Sequence, residues 1–425
     1  MAATFSHEEK LAFDEMVAGF DDALVISKAA TVNNVLAAAD NSDRQNDRIW
    51  LPVPLISASF DGFDQTANFM DATELSVPAQ IGYHKSVPLK LSSKNLRNEF
   101  YLKNKATAAK QKLASDVNLA LFNTVALQGT LFSKRTAAAT GFDDIAQCDA
   151  MMTEIGVPND ERYYFAAPRN LNNMASNLAS RSYLAGEALN AYERAQVNVD
   201  VAGFALYKND QSIRLTAAAG VTCSVNGANQ YWVPKSYSVA GTGEISNVDN
   251  RSMALAITVT SGTVKVGDAF NIAGVNSVNM VTKQDTGQLK TFRIVGIVSG
   301  AGGTGTVLIS PAIISNQGGS NAEKEFQNVT ATPANSAVIT WLNTATAEMN
   351  PFFKKEALVL LPGSFVVDPQ DGWHVMRART DNGIGITYAR QGQINDLSIK
   401  ARWDIDFGTC LSNPEMGGCQ MFSQP

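Results

Sequence analysis

The chain contains 425 residues, of which 45% are hydrophobic and 17% are charged, and its formal net charge at pH 7 is −6. A chain of this length can bury a large core and suits about two or three domains. The negative net charge argues against a protein whose main task is to grip nucleic-acid phosphates, because such proteins need a basic stripe. A shell that faces nucleic acid without binding it tightly stays open.

The cysteines and the N-terminal sequence favour a reducing cytosol. The cysteines are too scattered for a disulfide framework, and no Cys-x-x-Cys pair suggests a zinc site. The sequence MAATFSHEEK carries acids where a signal peptide carries bases, and no apolar run reaches the roughly 18 residues of a membrane span. We therefore expect no membrane association.

Residues 6–28 are predicted to form an acidic amphipathic helix. Ser6 and Glu9 match a capping box, and the helix dipole favours acids in the first turn. One face is apolar and the rest is acidic. The apolar positions are Leu11, Phe13, Met16, Phe20 and Leu24, and the acids are Asp14, Glu15, Asp21 and Asp22. Such a helix either packs on its own domain or forms an arm that docks a partner.

Residues 49–90 are predicted to be extended, because four prolines interrupt any long helix. A turn-rich middle at 60–71 separates two extended runs. This pattern indicates a long two-armed hairpin with little core of its own. We therefore expect another subunit to stabilise this hairpin by contacting it.

A long helix is predicted over residues 93–128, because apolar residues recur there at spacings of three and four. It would be roughly 50 Å long, and Gly129 is a plausible C-cap. Its early part is basic, which indicates either a solvated face or a face turned toward packaged nucleic acid. The apolar positions are Leu102, Ala106, Ala109, Leu113, Val117, Ala120 and Leu121.

The chain then mixes helices and strands before a glycine-rich β-region begins. Helices are predicted at 143–155, 170–181 and 185–196, and strands at 163–167 and 201–207. Residues 215–343 hold about half of the 31 glycines and several short strands, which is typical of a small barrel or sandwich. Its strands are predicted at 231–233, 253–260, 269–273, 290–298, 306–309 and 337–341, and strands at 357–361, 373–377, 384–389 and 397–407 follow. A β-module inserted into a larger α/β or α+β domain explains this order.

The segment 247–275 is predicted to form a β-hairpin. Residues 253–260 alternate small and apolar side chains, Ser261-Gly262 supplies a turn, and Gly267-Asp268 supplies a second.

Candidate catalytic and cofactor motifs are weak. Residues 300–305 match G-x-G-x-x-G, but a strand and not a helix is predicted after them, so they indicate a flexible hairpin tip. The histidines His7, His84 and His374 are far apart in the sequence. Asp404 and Asp406 alternate on one predicted strand and would therefore share a face. The favoured interpretation is that this face is a solvated edge, and the alternative is that the two carboxylates bind a metal. We expect no catalytic residue, cofactor or metal.

Several segments together resemble coat proteins of the short-tailed Salmonella phage type. The segment 247–275 reads N-V-D-N-R, a strand, K-x-G-D and A-G-V, which is similar to the inserted domain of that family. Other matches follow in the same order as in the family and span nearly the whole chain. They are Ile49–Val53, Asn95–Glu99, Gln196–Phe204, Ala389–Ile394 and Pro414–Gly417.

The resemblance implies an α+β fold of the Hong Kong 97-like phage capsid type with an inserted β-barrel. The domains that it implies are an N-terminal arm, an extended loop, a peripheral domain with a spine helix, an axial domain, the inserted barrel and a return to the peripheral domain. Their residues are, in that order, 1–48, 49–90, 91–200, 201–221 with 344–392, 222–343 and 393–425.

The resemblance also implies a function and partners. Subunits of the family form hexamers and pentamers around a scaffolding protein, and the resulting icosahedral procapsid expands as double-stranded DNA is packaged. A portal protein and enclosed DNA, bound without sequence specificity, are the further expected partners, and the virion, assembled in the host cytoplasm, is the expected location. An encapsulin-like compartment shell is the alternative, although the β-insertion and the acidic arm speak against it. The hypothesis that the chain is a nucleotide-binding oxidoreductase depends only on the glycine motif, which does not precede a predicted helix.

Three groups of site residues follow from the resemblance. Asp14 and Glu15 would offer acids to the basic end of the scaffold. The loop 238–250 would reach a neighbouring capsomer, and the extended loop would contact a neighbouring subunit. The inter-capsomer candidates are Glu244, Asp249 and Arg251, and the extended-loop candidates are Trp50, Asp61, Gly62 and Phe63.

Overall fold

The computed structural model describes most of the chain. The residues outside it are 1–4, 21–22, 37–46, 55, 58–60, 67–68, 70–72, 93, 96–97, 182–199, 210–212, 221, 365–373, 394 and 396–397, together with the side chains of 179–181. The predicted helix at 185–196 lies outside the described residues.

Most α-helices lie in the first half of the chain, and the second half consists mainly of strands, as in an α+β protein. The helices are α1 (His7–Val17), α2 (Glu99–Gln128), α3 (Phe142–Ile155), α4 (Pro168–Arg181) and α5 (Asn321–Phe326). The strands are β1 (Thr31–Val32), β2 (Arg48–Pro52), β3 (Ser76–Gln80), β4 (Tyr83–Ser92), β5 (Leu131–Lys134), β6 (Arg162–Ala166), β7 (Phe204–Lys208), β8 (Arg214–Leu215), β9 (Cys223–Val225), β10 (Tyr237–Val239), β11 (Ile245–Asn247), β12 (Met253–Val259), β13 (Ala269–Val278), β14 (Asp285–Ser299), β15 (Gly303–Ser310), β16 (Val338–Trp341), β17 (Ala347–Glu348), β18 (Asn350–Lys354), β19 (Leu358–Pro362), β20 (His374–Arg379), β21 (Gly385–Gln393), β22 (Ser398–Leu411) and β23 (Gly417–Met421).

The chain divides into two compact units. The first contains Met1–Trp50, Pro78–Phe122 and Leu358–Cys410, and the second contains Leu51–Val77, Asn123–Ala357 and Leu411–Pro425. In the first, β1, β19, β22, β21 and β20 form a sheet in that order, and β4 pairs with β22.

The second unit holds a five-stranded sheet and a closed barrel. The sheet runs β5-β23-β18-β6-β7, and apolar side chains of α3 and α4 pack in one buried cluster with it. The barrel order is β12-β15-β14-β13-β16-β9. Alternate residues of its strands point inward, so that side chains such as Leu255, Phe292 and Ile309 fill the interior. The predicted inserted β-barrel is confirmed.

The pairing predicted for 247–275 is wrong. Strands β12 and β13 both exist, but β12 pairs with β15 and β9, and β13 pairs with β14 and β16. The segment between them bonds instead to the β14–β15 hairpin, from Val264 N–H to Ala301 O and from Gly267 N–H to Ile294 O, both 2.8 Å. This segment therefore runs beside the β14–β15 hairpin, and it does not form a turn that would pair β13 with β12. Residues 231–233, predicted as a strand, are irregular.

Two helix boundaries differ from the prediction by more than two residues. The first helix ends at Val17 and not at residue 28, because the backbone turns extended at Ala18, with ψ 126°, and Gly19 then adopts φ +70°. The long helix begins at Glu99, where the Asn98 side chain accepts a hydrogen bond from Tyr101 N–H at 3.1 Å. Its predicted apolar face is confirmed, since all seven positions are buried.

A buried arginine joins the barrel to the end of α2. Arg293 of β14 donates to Gly129 O at 3.1 Å, to Gly267 O at 2.6 Å and to Ala126 O. Two of these carbonyls, those of Ala126 and Gly129, belong to the C-terminal end of the helix, which lacks intrahelical donors and favours a cation. Burial lowers the pKa of the guanidinium, and the carbonyl contacts compensate for its lost hydration.

Candidate assembly surfaces

The acidic helix α1 is fixed at its N-terminal end by a buried ion pair. The capping box predicted from Ser6 and Glu9 is present, with Glu9 N–H donating to Ser6 Oγ at 3.2 Å and Ser6 N–H to Glu9 Oε2 at 3.0 Å. The Glu9 carboxylate is buried and accepts two hydrogen bonds of 2.5 Å from Arg390. The Arg390 guanidinium also lies 4.8 Å from the Phe5 ring centroid. Local capping and a distant cation thus act on one side chain.

The C-terminal end of α1 is held by a lysine from α2. Lys110 Nζ donates to Glu15 O and to Ala18 O, each at 3.0 Å. A cation at this end also complements the helix dipole. The side chains of Asp14 and Glu15 are exposed. The helix that carries them has contacts at both of its ends. This arrangement suits a surface that presents acids to a basic partner.

The predicted inter-capsomer loop contains a short hairpin. Strands β10 and β11 pair antiparallel, with Val239 opposite Ile245, and Glu244 is exposed in the turn between them. Asn250 holds the base, because its Oδ1 accepts from Lys235 N–H and from Trp232 Nε1, both at 3.0 Å. The sequence does not distinguish this asparagine from others in the loop.

Two of the three inter-capsomer candidates bind each other. Arg251 Nη2 lies 2.7 Å from Asp249 Oδ2, and its Nε lies 3.0 Å from Asp249 Oδ1. Arg251 Nη1 also donates to Leu411 O at 2.9 Å. Within the chain, both charged groups are already satisfied. The structure brings Asp249 and Arg251 together and leaves Glu244 apart at the hairpin tip.

The extended loop exposes an aromatic side chain. Trp50 is half-buried in β2, whereas Asp61, Gly62 and Phe63 are exposed, and the Phe63 ring is fully accessible. Gly62 has φ +102°, and its carbonyl accepts from Gln65 Nε2 at 2.6 Å. The backbone angle at this turn favours glycine, and the adjacent phenylalanine is exposed to solvent.

Of the two aspartates of β22, Asp404 does not lie on a solvated edge. Asp404 is buried and accepts hydrogen bonds of 2.5 and 2.6 Å from Arg402, while His84 Nδ1 lies 2.8 Å from Asp406 Oδ1. Burial raises the pKa of Asp406, and His84 opposes that rise. The favoured prediction failed for Asp404 because alternation along a strand does not show which side chains a cation covers.

Evidence for metal or nucleotide chemistry is lacking across the described residues. No group of three or more His, Cys, Asp or Glu side chains there is arranged to hold a metal ion. Residues 300–302 connect β14 to β15, and residues 303–305 begin β15, so the glycine motif lies at a hairpin tip, as predicted, and not before a helix. Among the helices of the described part, none is long and apolar enough to cross a membrane.

A family model matches almost the whole chain. The model described as "P22 coat protein - gene protein 5" matches residues 1–423. The match confirms the family and the fold class that the resemblance implied. The family consists of structural proteins, which agrees with the expectation that the chain is not an enzyme.

Solved structures of phage capsids are also similar. The CUS-3 coat protein I-domain is 42% identical, with 29% of this chain and 96% of that chain covered, at a TM-score of 0.23. A chain from Mycobacterium phage Che8 is 10% identical, with 93% and 90% covered, and the capsid of cyanophage P-SCSP1u is 9% identical, with 95% and 89% covered; both have a TM-score of 0.44. At TM-scores this low, the family match and not these structures supports the fold.

Proposed function

Because the chain belongs to the P22 coat protein family, and is therefore a tailed-phage coat protein, we propose that it assembles with a scaffolding protein into a procapsid. Hexamers and pentamers form the icosahedral shell, which expands when double-stranded DNA is packaged through the portal. The match over residues 1–423 carries this proposal. The formal net charge of −6 fits a shell that encloses DNA without sequence-specific binding.

The helix α1 is proposed as the scaffold contact. Asp14 and Glu15 are exposed on it, and the contacts of Glu9 and Lys110 fix its two ends. A partner with a basic end would gain charge-assisted contacts from these acids without having to order the helix.

Co-expression with the phage's scaffolding protein tests both statements. We expect closed icosahedral shells by electron microscopy from the unaltered chain, and a reduced shell yield with Asp14→Ala while the monomer stays folded. Glu154→Ala, which removes an exposed acid from α3, is the matched control and should assemble normally. Normal yield with Asp14→Ala would refute the role of α1, whereas the absence of shells from the unaltered chain would refute the assembly itself.

The remaining surfaces are proposed as contacts between coat subunits. The extended loop, with Trp50, Asp61, Gly62 and Phe63, would lie on a neighbouring subunit of the capsomer. The hairpin that carries Glu244 would reach the next capsomer. The six segments given above are proposed as the arm, extended loop, peripheral domain, axial domain, inserted barrel and C-terminal return.

A further inference from the structure

The second compact unit contains a cavity whose wall comes from three separate parts of the chain. Its volume is about 280 Å³. Apolar side chains reach it from the extended segments (Ile56, Val77), from the inserted barrel (Met280, Ile314) and from the C-terminal segment (Met416). Because a dry apolar cavity of about 150 Å³ accepts benzene, a cavity of this size has room for about ten carbon atoms. It is therefore large enough for a small organic molecule.

One lysine at the wall of the cavity has no carboxylate partner among the described residues. Lys283 Nζ donates to the carbonyl of Gln327 at 3.3 Å, and both residues line the cavity. The other cation of the wall, Arg251, already binds Asp249. Burial lowers the pKa of the Lys283 amine, because a single neutral carbonyl replaces little of the hydration that the charged amine loses.

The charged groups nearest to Lys283 have other partners. They are Lys290, Glu325 and Glu415. Lys290 and Glu415 form an ion pair with each other, and Glu325 Oε2 accepts from Thr73 N–H at 3.4 Å. An anion that enters the cavity would therefore meet Lys283 as the cation that still lacks an anionic partner.

We propose that this cavity binds a small carboxylate with an apolar tail, of the class of medium-chain fatty acids. The carboxylate accepts a charge-assisted hydrogen bond from Lys283 Nζ, and the tail lies against the apolar wall. A neutral apolar molecule of the same length would leave the buried amine as it is, so it should bind more weakly. The volume is too small for a folded protein segment. The proposal does not depend on shell assembly, because every wall residue belongs to one chain.

Binding is measured by calorimetric titration of the full-length, unassembled chain with sodium octanoate and, separately, with 1-octanol. Octanoate should bind about tenfold more tightly than octanol near neutral pH, because only octanoate forms a hydrogen bond between two charged groups. Lys283→Met should abolish this preference and leave the affinity for octanol nearly unchanged. The matched control is Lys324→Met, which alters an exposed lysine of α5 outside the cavity wall and should keep the preference.

The pH dependence tests the same contact without a substitution. The free amine loses its proton as the pH rises through about 8, so binding of octanoate should weaken above that pH, and binding of octanol should not. Equal affinities of the unaltered chain for the two molecules would overturn the proposal. So would a preference that survives in Lys283→Met or one that Lys324→Met also abolishes.

Filling the cavity tests its location. Ala312 is buried in the wall, and Ala312→Phe should abolish the binding of both molecules, with thermal unfolding showing whether the variant stays folded. If it does not fold, Val53→Phe, at a half-buried position of the same wall, takes its place. Undiminished binding by a folded cavity-filling variant would overturn the assignment to this cavity. Since these measurements use the unassembled chain, their failure would leave the proposed shell assembly untouched.

Discussion

At the scale of single residues, buried ion pairs join segments that are distant in the sequence, and local sequence patterns do not predict such contacts. The carboxylate of Glu9 is 1% exposed and its partner Arg390 is 16% exposed, so the pair is largely removed from water. Removing one partner of a buried pair is costly because the other charge stays buried and unpaired.

Arg390→Gln should therefore lower the free energy of unfolding by about 3 kcal/mol, measured by urea denaturation. The control is Arg379→Gln, which alters an exposed arginine of β20 and should have little effect. The double variant Glu9→Gln, Arg390→Gln should lose less than the sum of the two single losses, because it leaves no unpaired charge. Additive losses would mean that the two side chains do not interact.

A second prediction concerns Lys283, whose amine donates to Gln327 O at 3.3 Å. Burial lowers the pKa of Lys283 from 10.5 to about 8. Between these pH values the unfolded chain binds more protons than the folded chain, so folding stability gains from rising pH. Below about pH 8 the cost of the buried charge is fully present.

Lys283→Met removes this contribution. Its melting temperature should exceed that of the unaltered chain most at neutral pH, and the difference should shrink as the pH rises towards 10.5. Other groups that titrate in this range, such as Cys223, contribute equally to the stability of both proteins, so their contributions cancel in the difference. A difference that does not change with pH would show that Lys283 has an ordinary pKa in the folded chain.

At the scale of elements, sequence patterns predict the features that depend on residues close together in the chain, and they do not predict strand pairing. The capping box of α1 was predictable because its two residues lie three apart in the chain, and the apolar face of α2 because apolar residues recur there at helical spacing. The β12–β13 pairing was misread because strand partners are chosen by the closure of the whole barrel. Likewise, no pattern marks Arg293 as buried, since its carbonyl partners Ala126 and Gly129 are distant in sequence. The Asp249–Arg251 pair was close enough in sequence to be foreseen, but a resemblance suggested other partners.

The barrel should fold by itself. Its core is closed within residues 223–341 and includes Leu255, Phe270, Phe292 and Ile309. Residues 222–343 expressed alone should show β-type circular dichroism and a cooperative thermal transition. A non-cooperative transition would show that the barrel depends on the rest of the chain.

Arg293→Met sharpens this test, because the fragment lacks the helix carbonyls that Arg293 binds. In the full chain the substitution leaves the carbonyls of Ala126 and Gly129 without their donor, and it should lower stability by about 2 kcal/mol. In the fragment the same substitution should be nearly neutral, since water solvates the arginine there. Equal losses in both proteins would place the effect of Arg293 inside the barrel and not at its junction with α2.

At the scale of the whole molecule, the proposed assembly predicts that subunit contacts cover some of the exposed apolar side chains. The fully accessible Phe63, which follows the glycine turn at Gly62, adds nothing to the core of its own chain. In a monomer such a side chain costs solubility. In the proposed shell it would serve as an anchor, because burying an aromatic ring against a neighbouring subunit stabilises a contact.

Phe63→Ser should therefore separate folding from assembly. The unassembled chain should keep its melting temperature, because the ring has no buried contacts to lose, whereas the yield of shells or their urea midpoint should fall. Phe63→Leu keeps the apolar surface and should restore most of that loss. Sedimentation and electron microscopy of shells made with the scaffold measure the assembly, and calorimetry of the monomer measures the folding. A melting temperature lowered by Phe63→Ser would instead place the ring in the core of its own subunit, and shells of unaltered yield and stability would remove the extended loop from the proposed subunit contacts.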